Sequence, residues 1–154
     1  MSNRDFTIHL VTQATASLLD HVNEDVFDHA IDPVFLCEFL SNPSNSLFVA
    51  IVDGQVVGMA TGLTYVHPDK PRALFINEVG VAVGHQRQGI GTQLISAILE
   101  WGKSKGCVEA WVATDDDNSA ARLFYESTGG IADGKPSVVY VYSLSARSER
   151  KIEA

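Results

Sequence analysis

Apolar residues recur along this chain with two periods, near two and near 3.6, and their alternation lays out the elements. FTIHLV (6–11) alternates weakly and is rich in β-branched residues, so it reads as a first strand. Thr12 offers a cap for a helix covering much of 13–30. Leu18, Leu19, Val22, Val26 and Phe27 give that helix a stripe at spacings of three and four. Pro33 suits the first turn of a second short helix, PVFLCEFL, which must stop before Pro43. SLFVAIV (46–52) and QVVGMATGLTYV (55–66) flank Asp53-Gly54, a pair that favours a tight hairpin. HPDKPR (67–72) carries two prolines and reads as an irregular loop before a further long strand, ALFINEVGVAV (73–83).

A helical pattern then runs to about Lys105, with Gly106 as its stop. Its core face is Ile90, Leu94, Ile98 and Trp101, thickened by Ile95 and Leu99. CVEAWVAT (107–114) is a strand. The polar DDDNS leads into a helix, SAARLFYEST, closed by Gly129-Gly130. SVVYVYSL (137–144) is a final strand with Tyr140 and Tyr142 on one face. The order predicts one α/β or α+β layer domain over 1–145 with a mixed sheet, and a polar tail at 146–154.

Length and composition narrow the function. A chain of 154 residues, 45% of them apolar, suits a single domain with a real core. No run of about 18 apolar residues occurs, and the N-terminus lacks a basic region followed by an apolar one, so neither a span nor a leader is expected. Cys37 and Cys107 lie 70 residues apart without a partner motif and are expected as buried thiols in a cytoplasmic protein. The net charge of -8 argues against a nucleic-acid partner and favours a cationic one. Six acids and no lysine or arginine lie between Asp20 and Glu38. No histidines pair at ligand spacing, so no metal site is expected.

The most informative stretch is GVAVGHQRQGIGTQLISAILEWG (80–102), a strand, a glycine-rich loop and a helix. Gly84 and Gly89 have the first spacing of a phosphate-binding P-loop, but Ile90 and Gly91 follow instead of lysine and a hydroxyl. A dinucleotide fingerprint needs a third glycine where Leu94 stands. What survives is an anion site. Backbone N–H groups from about Arg87 to Thr92 open a long helix, and Arg87 adds positive charge.

The segment Gln86-Arg87-Gln88-Gly89-Ile90-Gly91 resembles the Q/R-x-x-G-x-G/A motif of the GCN5-related N-acetyltransferase superfamily, and the resemblance covers about residues 6–144. It implies a mostly antiparallel central sheet flanked by helices, with the fourth and fifth strands splayed. It also implies that Gln86, Arg87, Gln88, Gly89, Ile90, Gly91 and Thr92 hold the pyrophosphate of acetyl-coenzyme A. Val79, Val81, Ala82 and Val83 would line its pantetheine arm, with a bulge or close backbone approach at Gly80. Glu78, set in an apolar strand and sharing a face with Ile76 and Gly80, would be the general base. Asn118, Ala121 and Tyr125 fit the family's N-x-x-A-x-x-x-Y pattern. There the asparagine supports the coenzyme and the tyrosine protonates the leaving thiolate. A Gly-Phe pair usual after that helix is replaced by Gly129-Gly130.

The resemblance implies direct attack of an amine on acetyl-CoA, with no metal. DVFDHAIDP, FVAIVDGQVVG and INEVGVAVGHQRQGIG further resemble the aminoglycoside 3-N-acetyltransferase branch, where an aspartate stands at the position of Glu78. Glu24, Asp25 and Asp28 are the expected acceptor contacts for a small cationic amine. A peptide or protein amino group and a non-catalytic coenzyme-binding module are the competing readings. Exposed strand edges make a homodimer the expected assembly.

Overall fold

Asp53 and Gly54, both at positive φ (49° and 79°), turn the second strand into the third. Around that hairpin a computed structural model, which describes residues 5–145, builds one five-stranded sheet. β1 (Thr7–Leu10), β2 (Asn45–Val52), β3 (Gln55–His67), β4 (Lys70–Val81) and β5 (Glu109–Trp111) lie side by side in chain order. The first four are antiparallel, and β5 runs parallel to β4. Three α-helices accompany them, α1 (Pro33–Ser41), α2 (Ile90–Ser104) and α3 (Ser119–Ser127). The Asp32 carboxylate caps α1 by accepting from the Val34 and Phe35 N–H groups.

α2 packs on one face of the sheet because β3 presents a stripe of small residues there, Gly58, Ala60 and Gly62. A Cβ on Gly58 would stand 3.1 Å from Ile90, and one on Gly62 would stand 2.8 Å from Ile98. Gly102 completes the contact from the helix side, since a Cβ there would come within 2.8 Å of Leu74. Ile90, Leu94 and Ile98 are fully buried, each contributing about 1.5–3 kcal/mol by leaving water. The buried helix face therefore ends on Gly102. Trp101, expected in that face, is only half-buried.

Several elements differ from the expectations above. The first long helix is a 3₁₀ helix, Gln13–Leu19, bent at Thr15. The chain from 20 to 32 is instead a strap laid against β3. Val56 donates to the His21 carbonyl, and Asn23 donates to the Val56 carbonyl. Those bonds satisfy backbone groups that a helix would have needed. At 67–72 the loop is a tight turn, with Lys70 already in β4 and Pro71 opposite a register shift between Tyr65 and His67. Proline is tolerated there because no ladder hydrogen bond is required of it.

β5 spans three residues, not eight, because only Ala73, Leu74 and Phe75 of β4 pair with it. Residues 137–144, predicted as a strand, adopt no regular secondary structure, and Val138 to Tyr142 are exposed. The polar tail expected at 146–154 lies outside the described residues.

β4 carries one irregularity that matters for the site. Thr61 faces Glu78 and the next residue, Gly62, faces Ile76, so Asn77 is an extra residue in β4. Leu74 and Ile76 lie opposite Thr64 and Gly62, on the α2 face. Beyond the bulge, Val79 and Val81 lie opposite Ala60 and Gly58, again on that face. Glu78 and Gly80 take the other face. Strict alternation had put Ile76 with Glu78 and Gly80, and the bulge at Asn77 separates them. At Gly80 itself there is a close backbone approach, with a Cβ reaching 3.1 Å from the Val26 carbonyl oxygen.

Candidate active site

Glu78 faces a cleft of about 340 Å³ between β4 and the strap. Phe27, Phe35, Phe39 and Leu47 give it apolar walls, and Asp28 and Thr61 stand with Glu78 at its polar part. Burial first, and the Asp28 charge second, raise the Glu78 carboxyl above the ordinary carboxylate range. Glu78 stays exposed on the open side of the strand, and the bulge turns it towards the cleft instead of α2.

Of the three expected acceptor contacts, Asp28 lines this cleft, whereas Glu24 and Asp25 do not. The turn made when Asp25 donates to the Asn23 side chain sets this part of the strap. Asp32 and His29 also line the cleft. Asp32 belongs to the acidic run that the sequence offers to a polycation, whereas His29 carries no such sequence signal. A cavity of about 240 Å³ between the end of α2 and β5 shares no residue with this cleft.

On the sheet edge beside Glu78, β5 stops opposite Phe75. β4 therefore continues from Ile76 to Val81 with no neighbour on that side among the described residues. This is the splay anticipated for the fourth and fifth strands. Val79 and Val81 lie along it, and Ala82 and Val83 follow. Ala82 is buried and donates to the Val57 carbonyl, whereas the Val83 side chain is exposed. The Val81 carbonyl is partnered, accepting from the Gln86 side-chain amide at 3.1 Å.

The glycine turn follows directly. Arg87 (φ 63°) and Gly89 (φ 83°) are left-handed, and Gly89 is the cap of α2. A Cβ on Gly89 would meet nothing within 4 Å, so backbone conformation selects glycine there. Gly91 has a different cause, because a Cβ would press on the Phe124 ring at 3.1 Å. Glycine at 91 thus lets α3 dock on the start of α2. The Gln88 side chain donates to the Gly84 carbonyl and closes the loop. Among the described residues, the backbone N–H groups of Arg87, Gln88, Gly89, Ile90, Gly91 and Thr92 have no acceptor within the protein. Six donors at the positive end of a 15-residue helix suit a pyrophosphate.

α3 supplies the remaining groups. The Asn118 side-chain oxygen caps it by accepting from the Ala121 N–H at 3.1 Å, leaving the Asn118 amide to donate elsewhere. Tyr125 is half-buried, burial raises its hydroxyl pKa, and that hydroxyl has no protein partner among the described residues. Gly130 keeps the helix end close, since a Cβ would lie 3.0 Å from the Tyr125 carbonyl oxygen. That contact gives Gly130 its reason, and a positive φ of 97° gives Gly129 its own. Arg122 forms a solvent-exposed ion pair with Asp116 at 2.9 Å. No group of three His, Cys, Asp or Glu residues that could hold a metal ion occurs among the described residues.

This combination of sheet, cleft and amide-rich turn defines an acetyltransferase of the GNAT class. The chain belongs to the acetyltransferase (GNAT) family, whose sequence profile matches residues 12–130.

Among individual proteins, it is 28% identical over 96 residues to an aminoglycoside N(6')-acetyltransferase type 1 of Salmonella typhimurium, spanning 60% of this chain and 66% of that one. It is 35% identical over 65 residues to the L-2,4-diaminobutyric acid acetyltransferase of Oceanobacillus iheyensis, spanning 42% of this chain and 35% of that one. The alignments thus span two thirds of these relatives' lengths at most. An aminoglycoside acetyltransferase from an uncultured soil metagenomic sample, in complex with sisomicin, superposes with a TM-score of 0.76 at 25% identity. That superposition covers 91% of this chain and 97% of the other. The aminoglycoside relative is a 6'-enzyme, whereas the sequence motifs resemble the 3-N branch.

Proposed function

We propose that this acetyltransferase moves the acetyl group of acetyl-CoA onto a primary amine of a small, multiply cationic acceptor of the aminoglycoside type. The observation that carries this reading is the pairing of Glu78 with Asp28 in one aromatic-walled cleft. A carboxylate pair of this kind attracts a molecule with more than one ammonium group, and the phenylalanine walls match the apolar face of a ring. The acetyltransferase solved with sisomicin supports the same acceptor class.

The residues divide the work. Arg87 to Thr92 hold the pyrophosphate through backbone N–H groups, and the open edge of β4 at Val79–Val81 orients the acyl arm. Glu78 takes the proton from the incoming ammonium, directly or through water, so that the amine can attack. Its raised pKa brings it closer to the range a base needs. Asp28 holds a second cationic group and thereby fixes which amine faces Glu78. The Tyr125 hydroxyl, which keeps its proton at neutral pH, donates it to the departing thiolate.

The test is thiol release from acetyl-CoA with aminoglycosides, linear polyamines, amino acids and short peptides. Turnover with aminoglycosides or polyamines at far lower KM than with peptides is expected. Turnover confined to peptides would overturn the acceptor class. Tight coenzyme binding with no turnover on any of them would make the chain a binding module.

A further inference from the structure

The sheet face that carries Glu78 does not end at the cleft. Thr61 pairs with Glu78, Leu63 with Phe75 and Tyr65 with Ala73. Leu74 and Ile76 take the α2 face, so Leu63, Tyr65 and Phe75 continue the face of Glu78. Trp111, the last residue of β5, pairs with Phe75 and shares that face. Its ring centroid lies 4.4 Å from that of Phe75, and its Nε1–H donates to the Tyr65 hydroxyl oxygen at 2.6 Å. β3, β4 and β5 thus contribute one ring each to an aromatic shelf.

The shelf is held in place yet open to water. Trp111 is 46% exposed and Tyr65 38%. Fixed by Phe75 on one side and by Tyr65 at its nitrogen, the indole keeps one orientation without being buried. Its only N–H is already given to Tyr65, so what it offers a ligand is a flat apolar face. The Tyr65 hydroxyl accepts from Trp111, which leaves its own proton to donate outward. Position says what the face is for. Thr61 and Leu63 are two residues apart on β3, so their partners Glu78 and Phe75 lie roughly 7 Å apart along the sheet. The strap meets β4 at Gly80, beyond Glu78 from Phe75, so the shelf extends the site in the direction that contact leaves open. It also begins where β5 stops and the open edge of β4 begins.

We propose that Tyr65, Phe75 and Trp111 form a second acceptor subsite, where a further ring of the acceptor stacks on the Trp111 indole while its amine stands at Glu78. The subsite selects amines with two or more rings over single-ring ones. This rests on the acceptor class proposed above and adds acceptor length to it. A saccharide ring has an apolar face that matches the indole, and an ammonium group carried on that ring is drawn to the same π-system. The Tyr65 proton is placed to meet a ring hydroxyl at the shelf's edge. A single-ring amine held at Glu78 does not reach the shelf and gains nothing from it.

Steady-state kinetics with a single-ring amino sugar and with two- and three-ring aminoglycosides, on wild type, Trp111→Ala and Trp111→Phe, tests this. The wild-type acceptor KM should fall when the second ring is added. Trp111→Ala should raise the two- and three-ring KM about tenfold more than the single-ring KM, with coenzyme affinity retained. Trp111→Phe should recover most of that loss. A second readout does not need turnover or the alanine variant. In a Trp101→Phe background the remaining indole is Trp111, and its emission should change on titration with a two-ring aminoglycoside but not with the single-ring sugar. If Trp111→Ala does not fold, that titration decides. Equal KM losses for all acceptors, or none, overturn the subsite alone, as does an emission that ignores the second ring. A wild type that turns over none of the ring amines overturns the acceptor class, and the subsite with it.

Discussion

Gly80→Ala tests the link between strap and sheet, and its size can be worked from contacts. The added methyl carbon stands 3.1 Å from the Val26 carbonyl oxygen, so that carbonyl must retreat by a few tenths of an ångström. It is poorly placed to do so. Val26 is buried and donates to the Asn23 carbonyl, Asn23 is bound to Val56, and Val56 is bound to His21. Replacing glycine by alanine gains about 0.4–1 kcal/mol from the unfolded chain. Overpacking a fixed neighbour costs about 1–3 kcal/mol. The net loss is about 1 kcal/mol, which lowers Tm by about 2–4 °C for a domain of this size. Because Phe27 and Asp28 follow Val26, the acceptor KM should rise while coenzyme affinity stays constant. Gly84→Ala is the control, since nothing lies within 4 Å of its Cβ and its φ is not positive, so Tm should rise slightly. Thermal unfolding, coenzyme titration calorimetry and acceptor kinetics read all three quantities. If Gly80→Ala is as stable as the wild type and its acceptor KM is unchanged, Val26 yields freely and the reasoning fails.

Four further variants test the site. Glu78→Gln should lower kcat by about 10²–10⁴-fold while coenzyme affinity, measured calorimetrically, persists. The same variant should alter stability with pH. The folded state holds the Glu78 proton more tightly than the unfolded state, a contribution present below the ordinary carboxylate pKa and lost as pH rises through the folded one. Urea unfolding should therefore show Glu78→Gln gaining on the wild type from acid to neutral pH. Asp28→Asn removes one cause of the raised pKa, so the acid limb of kcat/KM should shift to lower pH as the acceptor KM rises. Tyr125→Phe should reduce kcat with little change in either KM, read by steady-state kinetics. Gly91→Ala pushes on Phe124, so it should lower both Tm and coenzyme affinity, read by thermal shift with and without coenzyme.

Much of the fold was legible because its signals are local. Asp53-Gly54 marked the hairpin, Pro33 the start of α1, and the glycine loop and Gly106 the ends of α2. The glycine loop was recognisable by motif, although the motif gave one reason for glycine where the structure has two. Gly89 needs positive φ, and Gly91 makes room for Phe124. The errors came from interactions at a distance. Helical spacing over 13–30 could not reveal that His21 and Asn23 would bond to Val56. Alternation could not reveal the extra residue at Asn77, which decides the face of Glu78. The strand pattern at 137–144 records a β preference, but a strand also needs a neighbour, and none pairs with it among the described residues. Acidic residues in the strap were visible as a group, yet only the turn geometry selects Asp28 over Glu24 and Asp25.

The stripe Gly58-Ala60-Gly62 has a consequence for how such a site diversifies. By seating α2 directly on β3, it joins the amide-rich turn and the Glu78 strand into one rigid block. The strap at 20–32 is attached differently, through a few backbone bonds to Val56 and the snug fit at Gly80. Donor handling and acceptor choice are therefore mechanically separate. Substitutions in the strap can reshape the acceptor wall without disturbing the coenzyme cradle, whereas a bulkier residue in the glycine stripe would detune every reaction at once. One face of the sheet is thus conservative by construction and the other free to drift.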